Sequence, residues 1–191
     1  MVRTIEAIPT TYNGKEYRSR TEARWAIFFE KLSLTVQYEE ELITFEDGTR
    51  YLPDFYIKEF DCYFEVKGND DSLVVEEASK AKRLSEMDKT VLLAIGAPSS
   101  ITSNILYLNE IHHLTIQEAL ADPDYRGRIM EDRRDKDVYW FSSEQDKTGS
   151  YSIICALSKW NESWTDHDRF PLIHNKVKQA YEAAQSYQFE K

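Results

Sequence analysis

Residues 50–68 read Arg-Tyr-Leu-Pro-Asp-Phe-Tyr-Ile-Lys-Glu-Phe-Asp-Cys-Tyr-Phe-Glu-Val-Lys-Gly, and this stretch decides the fold. Its β-branched and aromatic runs predict two antiparallel strands, Tyr51 to Ile57 and Cys62 to Lys67, joined at Glu59-Phe60. With that turn, facing positions have numbers that sum to 119, so Asp54 stands opposite Glu65 and Tyr56 opposite Tyr63. Directly opposed side chains have Cβ atoms about 4.5 to 5.5 Å apart, where like charges repel. Two carboxylates held so close call for a cation. Strand alternation also brings Lys67 to the Asp54 and Glu65 side, and sends Phe64 and Val66 to the opposite, apolar side. The competing reading is a surface hairpin with exposed acids and Lys67 as their counter-charge.

The elements on either side complete a pattern. Apolar residues at Trp25, Phe28, Phe29 and Leu32 recur at helical spacing, which predicts a mostly buried helix from Ser19 to about Leu34. Thr35 to Tyr38 and Leu42 to Phe45 read as one bent strand or two pieces, and Asp47-Gly48 is a turn signal. Pro53 places a strand start or a bulge at the motif. Gly68-Asn69-Asp70 breaks the sheet before a helix from about Leu73 to Met87, and Val91 to Ile95 is an unbroken apolar strand of the kind buried in parallel sheets. The order is αβββαβ.

Pro53-Asp54 followed by Glu65-Val66-Lys67, downstream of a helix carrying Ser19-Arg20-Thr21-Glu22-Ala23-Arg24-Trp25-Ala26, resembles the signature of the PD-(D/E)XK nuclease superfamily. The resemblance covers about residues 12 to 97. The C-terminal half is only loosely similar to uncharacterised phage and bacterial members that end in a comparable Ala-Tyr-Glu-Ala-Ala helix. The expected fold class is α/β, a restriction-endonuclease-like αβββαβ core whose mixed central sheet is flanked by helices, with an α+β extension. The expected division is a nuclease-like core over 1–97 and an extension, packed on it or appended, over 98–191.

The resemblance implies a metal-dependent nuclease, foremost a DNA endonuclease, that leaves a 5′-phosphate and a 3′-hydroxyl. Asp54, Glu65 and Lys67 are the expected catalytic residues. Glu22, Asp54, Glu65 and the carbonyl of Val66 are the expected metal ligands. Carboxylate and carbonyl oxygens suit Mg²⁺ or Mn²⁺ rather than zinc. Glu22 has a second reading, because Ser19-X-X-Glu22 is also a capping box. Arg18, Arg20 and Arg24, together with Lys15, form a basic cluster around that helix and are the expected phosphate contacts.

Charge complicates this picture. The chain of 191 residues carries a net charge of −10, whereas nonspecific nucleic-acid binding depends on Lys and Arg neutralising phosphates. Glu39, Glu40, Glu41, Glu46 and Asp47 supply part of the excess and read as a solvated face. Two alternatives follow: an acidic, non-catalytic interaction protein or inhibitor of a host or defence factor, and a catalytically silent nucleic-acid-binding module on the same fold. The expected partner is nucleic acid, DNA first, with a homodimer or a phage or host protein also compatible.

No apolar run approaches the roughly 18 residues that span a bilayer, and no secretory signal pattern opens the chain, so the expected location is the bacterial cytoplasm, as the product of a bacterial or phage gene. Cys62 and Cys155 are too few for a disulfide framework. His112-His113 and Asp166-His167-Asp168 match no standard metal spacing, and Trp140, Trp160 and Trp164 suit packing better than base stacking. Past Gly96 a strand near Ile105 to Leu108, a helix from Thr115 to Ala121, a hairpin of Val138 to Phe141 with Tyr151 to Leu157, and a helix from Leu172 to Ser186 are expected. Asp122 to Asp137 reads as a polar surface connection.

Overall fold

A computed structural model describes residues 7–68, 78–99, 105–111, 113–122, 126–131, 139–143 and 175–190. Its strands are β1 (Thr10–Tyr12), β2 (Lys15–Tyr17), β3 (Val36–Tyr38), β4 (Ile43–Thr44), β5 (Arg50–Tyr51), β6 (Phe55–Ile57), β7 (Cys62–Lys67), β8 (Thr90–Ile95), β9 (Ile105–Tyr107), β10 (Arg126–Glu131) and β11 (Tyr139–Ser143). Its helices are α1 (Arg20–Lys31), α2 (Ser79–Ser85), α3 (Ile116–Ala121) and α4 (Asn175–Ser186). Seven strands form one mixed sheet in the order β11-β10-β9-β8-β7-β6-β3. Strand β7 runs parallel to β8, and the other pairs are antiparallel.

Helices cover both faces of this sheet. On one face Trp25, Ile27, Phe28 and Phe29 of α1 and Ala180, Tyr181 and Ala184 of α4 pack on Phe55, Ile57, Phe64, Val66, Leu92 and Ala94. On the other, Ala81 and Leu84 of α2 and Ile116 and Ala119 of α3 pack on Tyr63, Val91, Leu93, Ile95 and Leu106. Alternation along β7 and β8 produces this division, which is why β8 reads as a continuous apolar run. Trp25, fully buried, donates its indole Nε1–H to the carbonyl of Gly96 at 2.9 Å, so no buried polar atom is left over there.

Several boundaries differ from the expected ones for local reasons. Helix α1 starts after its N-cap Ser19 and ends at Lys31, short of Leu34, because Ser33 turns into the left-handed region with φ 62° and Leu34 N–H bonds back to the Phe29 carbonyl at 3.0 Å. The span from Tyr51 to Ile57 is two strands rather than one: β5 pairs with β4 in a separate ribbon, and only β6 joins the main sheet. An unexpected hairpin, β1–β2, precedes α1 on the turn Asn13-Gly14, whose φ values of 50° and 76° suit that sequence pair. The stretch from Asp122 to Asp137, expected as a connection, contains β10, which pairs with β9 and β11. Strand β11 thus takes β10 as its partner; Tyr151 to Leu157 lies outside the described residues.

Among the described residues beyond 97, β9, β10 and β11 continue the sheet and α4 packs against α1. Asn69-Asp70, the start of the helix expected from Leu73, residues 172–174, His112, Cys155, Trp160, Trp164 and Asp166-His167-Asp168 lie outside the described residues.

Candidate active site

The β6–β7 register pairs Phe55 with Phe64, Tyr56 with Tyr63 and Ile57 with Cys62, the expected sum of 119 at every rung. Extrapolated two steps further, the same sum would set Pro53 against Val66. Proline has no N–H, so the regular ladder stops at Phe55. The Asp54 side chain takes over: its Oδ2 accepts the Val66 N–H at 2.7 Å. In an extended strand the N–H and C=O of one residue point to the same side, which turns the Val66 carbonyl towards Asp54 as well. The irregular segment Leu52 to Asp54 is tied down by the Asp54 carbonyl, which accepts the N–H of Glu39 at 3.0 Å. Glu39 reaches this position in the left-handed region, φ 50°.

Asp54 and Glu65 are 1% and 3% exposed. The backbone N–H of Asp54 donates to Glu65 Oε2 at 3.3 Å, which fixes the two residues side by side. Lys67, on the same face as Glu65 two residues on, places its ammonium 2.8 Å from Glu65 Oε1. The Tyr51 hydroxyl donates to Glu65 Oε2 at 2.6 Å. Both oxygens of Glu65 are therefore oriented before any ligand arrives. Tyr51 was not among the expected site residues. Its position three residues ahead of Asp54 in the same segment is the available signal, and an alternating strand would not have aimed it at Glu65.

Glu22, 6% exposed, faces this centre from α1. Its backbone N–H donates to the Ser19 hydroxyl oxygen at 3.1 Å, as a capping residue's should, but its carboxylate does not close on the Ser19 amide. Oε1 accepts the Ser19 hydroxyl at 2.6 Å, and Oε2 accepts the Tyr38 hydroxyl at 2.5 Å. Tyr38 in turn accepts the backbone N–H of Arg18 at 2.9 Å. Arg18 extends over the acids, with Nη2 2.5 Å from Asp54 Oδ1 and Nε 2.6 Å from Glu39 Oε1. Glu39 Oε1 is buried without an aligned hydrogen bond, so its link to Arg18 is a charge contact. Half-buried Glu39 thus departs from the expected solvated face, whereas Glu40, Glu41, Glu46 and Asp47 are exposed as expected.

Burial pushes the Asp54 carboxyl well above the ordinary carboxylate range; the charge of Glu65 adds to the rise, and Glu22 adds further. Lys67 and the Val66 N–H oppose it. Burial also raises the Tyr51 phenol well above its ordinary value, followed by the charge of Glu65, so it stays a donor at neutral pH. These are the marks of a site holding more negative charge than its fixed cations balance.

The donor set fits a hard cation that keeps several waters: two buried carboxylates and a carbonyl whose register partner is a proline. Glu22 comes from α1 rather than from the hairpin, its two oxygens accepting the Ser19 and Tyr38 hydroxyls. Among the described residues no three His, Cys, Asp or Glu side chains converge on one ion position. Glu22 therefore fits contact through a water rather than direct ligation.

The expected phosphate contacts separate. Arg18 lies at the site, but Arg24 donates to the carbonyls of Ala184 and, at 2.8 Å, Gln185 at the C-terminal end of α4. Arg20 and Arg24 also lie over the Phe189 ring, 5.8 and 5.3 Å from its centroid. A cation at a helix C-terminus answers unpaired carbonyls and the helix dipole, which accounts for Arg24 without a phosphate. Lys15 lies 5.0 Å over the Tyr38 ring. Among the described residues no helix is long and apolar enough to cross a membrane. Comparison of the chain with protein-family models, curated proteins and solved structures returned no match.

Proposed function

We propose that this protein is a Mg²⁺- or Mn²⁺-dependent nuclease that hydrolyses phosphodiester bonds, foremost a DNA endonuclease, on a restriction-endonuclease-like core. One observation carries the reading: Asp54 and Glu65, both buried and adjacent, meet at the point where Pro53 ends the ladder, with Lys67 2.8 Å from Glu65. A buried like-charge pair is costly unless a cation or a proton joins it.

In this reading Asp54, Glu65 and the Val66 carbonyl would hold the ion, with Glu22 contacting it through water; the ion would supply a water of lowered pKa and neutralise charge on the scissile phosphate. Lys67, held by Glu65, orients the attacking water and offsets negative charge as it develops on the phosphate. Tyr51 keeps Glu65 in one orientation, so little reorganisation accompanies reaction. Arg18, the exposed cation at the rim, is the phosphate contact.

A panel of labelled single- and double-stranded DNA and RNA, incubated with Mg²⁺ or Mn²⁺ and with EDTA, tests the activity. Cleavage that needs the ion and disappears in Asp54→Asn supports it; cleavage that persists in EDTA or in Asp54→Asn removes this site as the catalyst.

A second reading, an acidic interaction protein, is favoured by the net charge of −10 and by the engagement of Arg24 with α4. Absence of divalent-ion binding in calorimetry would select it, since such a protein needs no ion.

A further inference from the structure

Lys67 and Arg18 both contact the acidic centre, but they are held differently. Lys67 is 16% exposed, lies on a central strand and reaches Glu65 within its own face of the sheet. Arg18 precedes the N-cap of α1, is 56% exposed and comes in from the rim, bridging Asp54 at 2.5 Å and Glu39 at 2.6 Å. Lys67 has little room to leave Glu65, whereas moving Arg18 means rotating a solvated side chain. Its backbone is fixed independently, by the N–H that donates to Tyr38.

We propose that Arg18 is a displaceable counter-ion of the candidate metal site: it neutralises Asp54 until a divalent cation arrives, and then swings from Asp54 while Glu39 retains it at the rim. The inference rests on the metal-dependent reading above. Asp54 Oδ2 is held by the backbone N–H of Val66, whereas Oδ1 is held by the solvated Arg18 side chain, so Oδ1 is the oxygen whose partner can be exchanged for a cation. A guanidinium 2.5 Å from that oxygen occupies the approach a metal needs, and two cations cannot share it without repulsion. Glu39, whose Oε1 is buried and has no aligned hydrogen bond, offers the displaced guanidinium a remaining anionic partner. Released from Asp54, the side chain has donors to offer a phosphate beside the ion. Metal binding and phosphate recognition are thereby linked through one residue.

The test measures binding, without reference to cleavage. Wild type and Arg18→Gln are titrated calorimetrically with MgCl₂ and MnCl₂ at mildly alkaline pH, where protons compete least, after circular dichroism has shown both to be folded. Loss of one competing charged hydrogen bond is expected to tighten binding in Arg18→Gln by about tenfold. In nitrogen-labelled wild type, the Arg18 Nε–H resonance is expected to shift as Mg²⁺ is added. This second measurement decides the matter if Arg18→Gln does not fold. Equal or weaker affinity in a folded Arg18→Gln protein, or an Arg18 resonance that stays in place at saturating Mg²⁺, overturns the displacement while leaving the metal site standing. No ion binding by either protein overturns the metal site and this inference together.

Discussion

The Asp54 carboxylate, rather than a backbone carbonyl, accepts the Val66 N–H at 2.7 Å, just beyond Phe55–Phe64, where the β6–β7 ladder ends. The site is thus built from an interruption of the sheet. The carboxylate proposed to hold the ion is also the group that satisfies a buried strand amide.

That double role sets an expected order of stabilities. Asp54→Asn keeps an acceptor for Val66 and relieves repulsion with Glu65, so it is expected to unfold close to wild type in denaturant. Asp54→Ala leaves a buried N–H without a partner and is expected to lose about 1 to 3 kcal/mol. Equal losses in the two variants would show that the Val66 bond contributes little.

The raised Asp54 carboxyl has a consequence for pH dependence. A carboxyl whose folded pKa lies above its unfolded one binds its proton more tightly in the folded state, so its contribution is complete below the unfolded value and is lost as pH rises through the folded one. Without divalent ions, the melting temperature of wild type relative to Asp54→Asn is expected to fall across that window, and Mg²⁺ is expected to restore it. Parallel curves for the two proteins would contradict the shift.

Tyr51→Phe removes the hydroxyl from Glu65 while keeping the buried ring. A hydrogen bond to a charged group is worth about 1.5 to 3 kcal/mol, so a loss of stability near that size is expected in urea unfolding, together with weaker Mn²⁺ binding. Unchanged ion affinity would mean that Tyr51 supports the fold alone.

Lys67→Ala tests the proposed catalytic role of the ammonium. Removing a charge-stabilising donor typically costs about 10² to 10³ in rate, and that loss is expected in single-turnover cleavage with Mg²⁺ saturating. A full rate without the ammonium would reassign Lys67 to charge balance with Glu65.

The arginines are separable by salt. On duplex DNA each neutralised phosphate contributes about −0.9 to the log-log salt slope of binding, so Arg18→Gln is expected to reduce the slope by about one such unit. Arg24→Ala is expected to leave the slope alone and lower the melting temperature instead, because its partners are carbonyls of α4. A reduced slope in Arg24→Ala would return that residue to the phosphate contacts.

What could be read from the chain was whatever depends on neighbours in sequence. The register of Tyr56 with Tyr63, the division of Phe64 and Val66 from Glu65 and Lys67, and the buried strand at Val91 follow from a two-residue period and a short turn. Asn13-Gly14 was an equally local hairpin signal. Strand β10 was hidden because its sequence is polar and its strand character depends on the neighbours β9 and β11.

Tertiary structure alone decided the charge partners. Long side chains carry their charged ends several bonds from the backbone, so adjacency along α1 does not place Arg18 on Asp54 and Arg24 on Ala184; the elements packed around the helix do. Likewise Tyr38 and Tyr51 reach Glu22 and Glu65 across 16 and 14 residues of chain. Hydrophobic periodicity reports which face of an element is buried, and carries no information about which polar group on another element will meet it there.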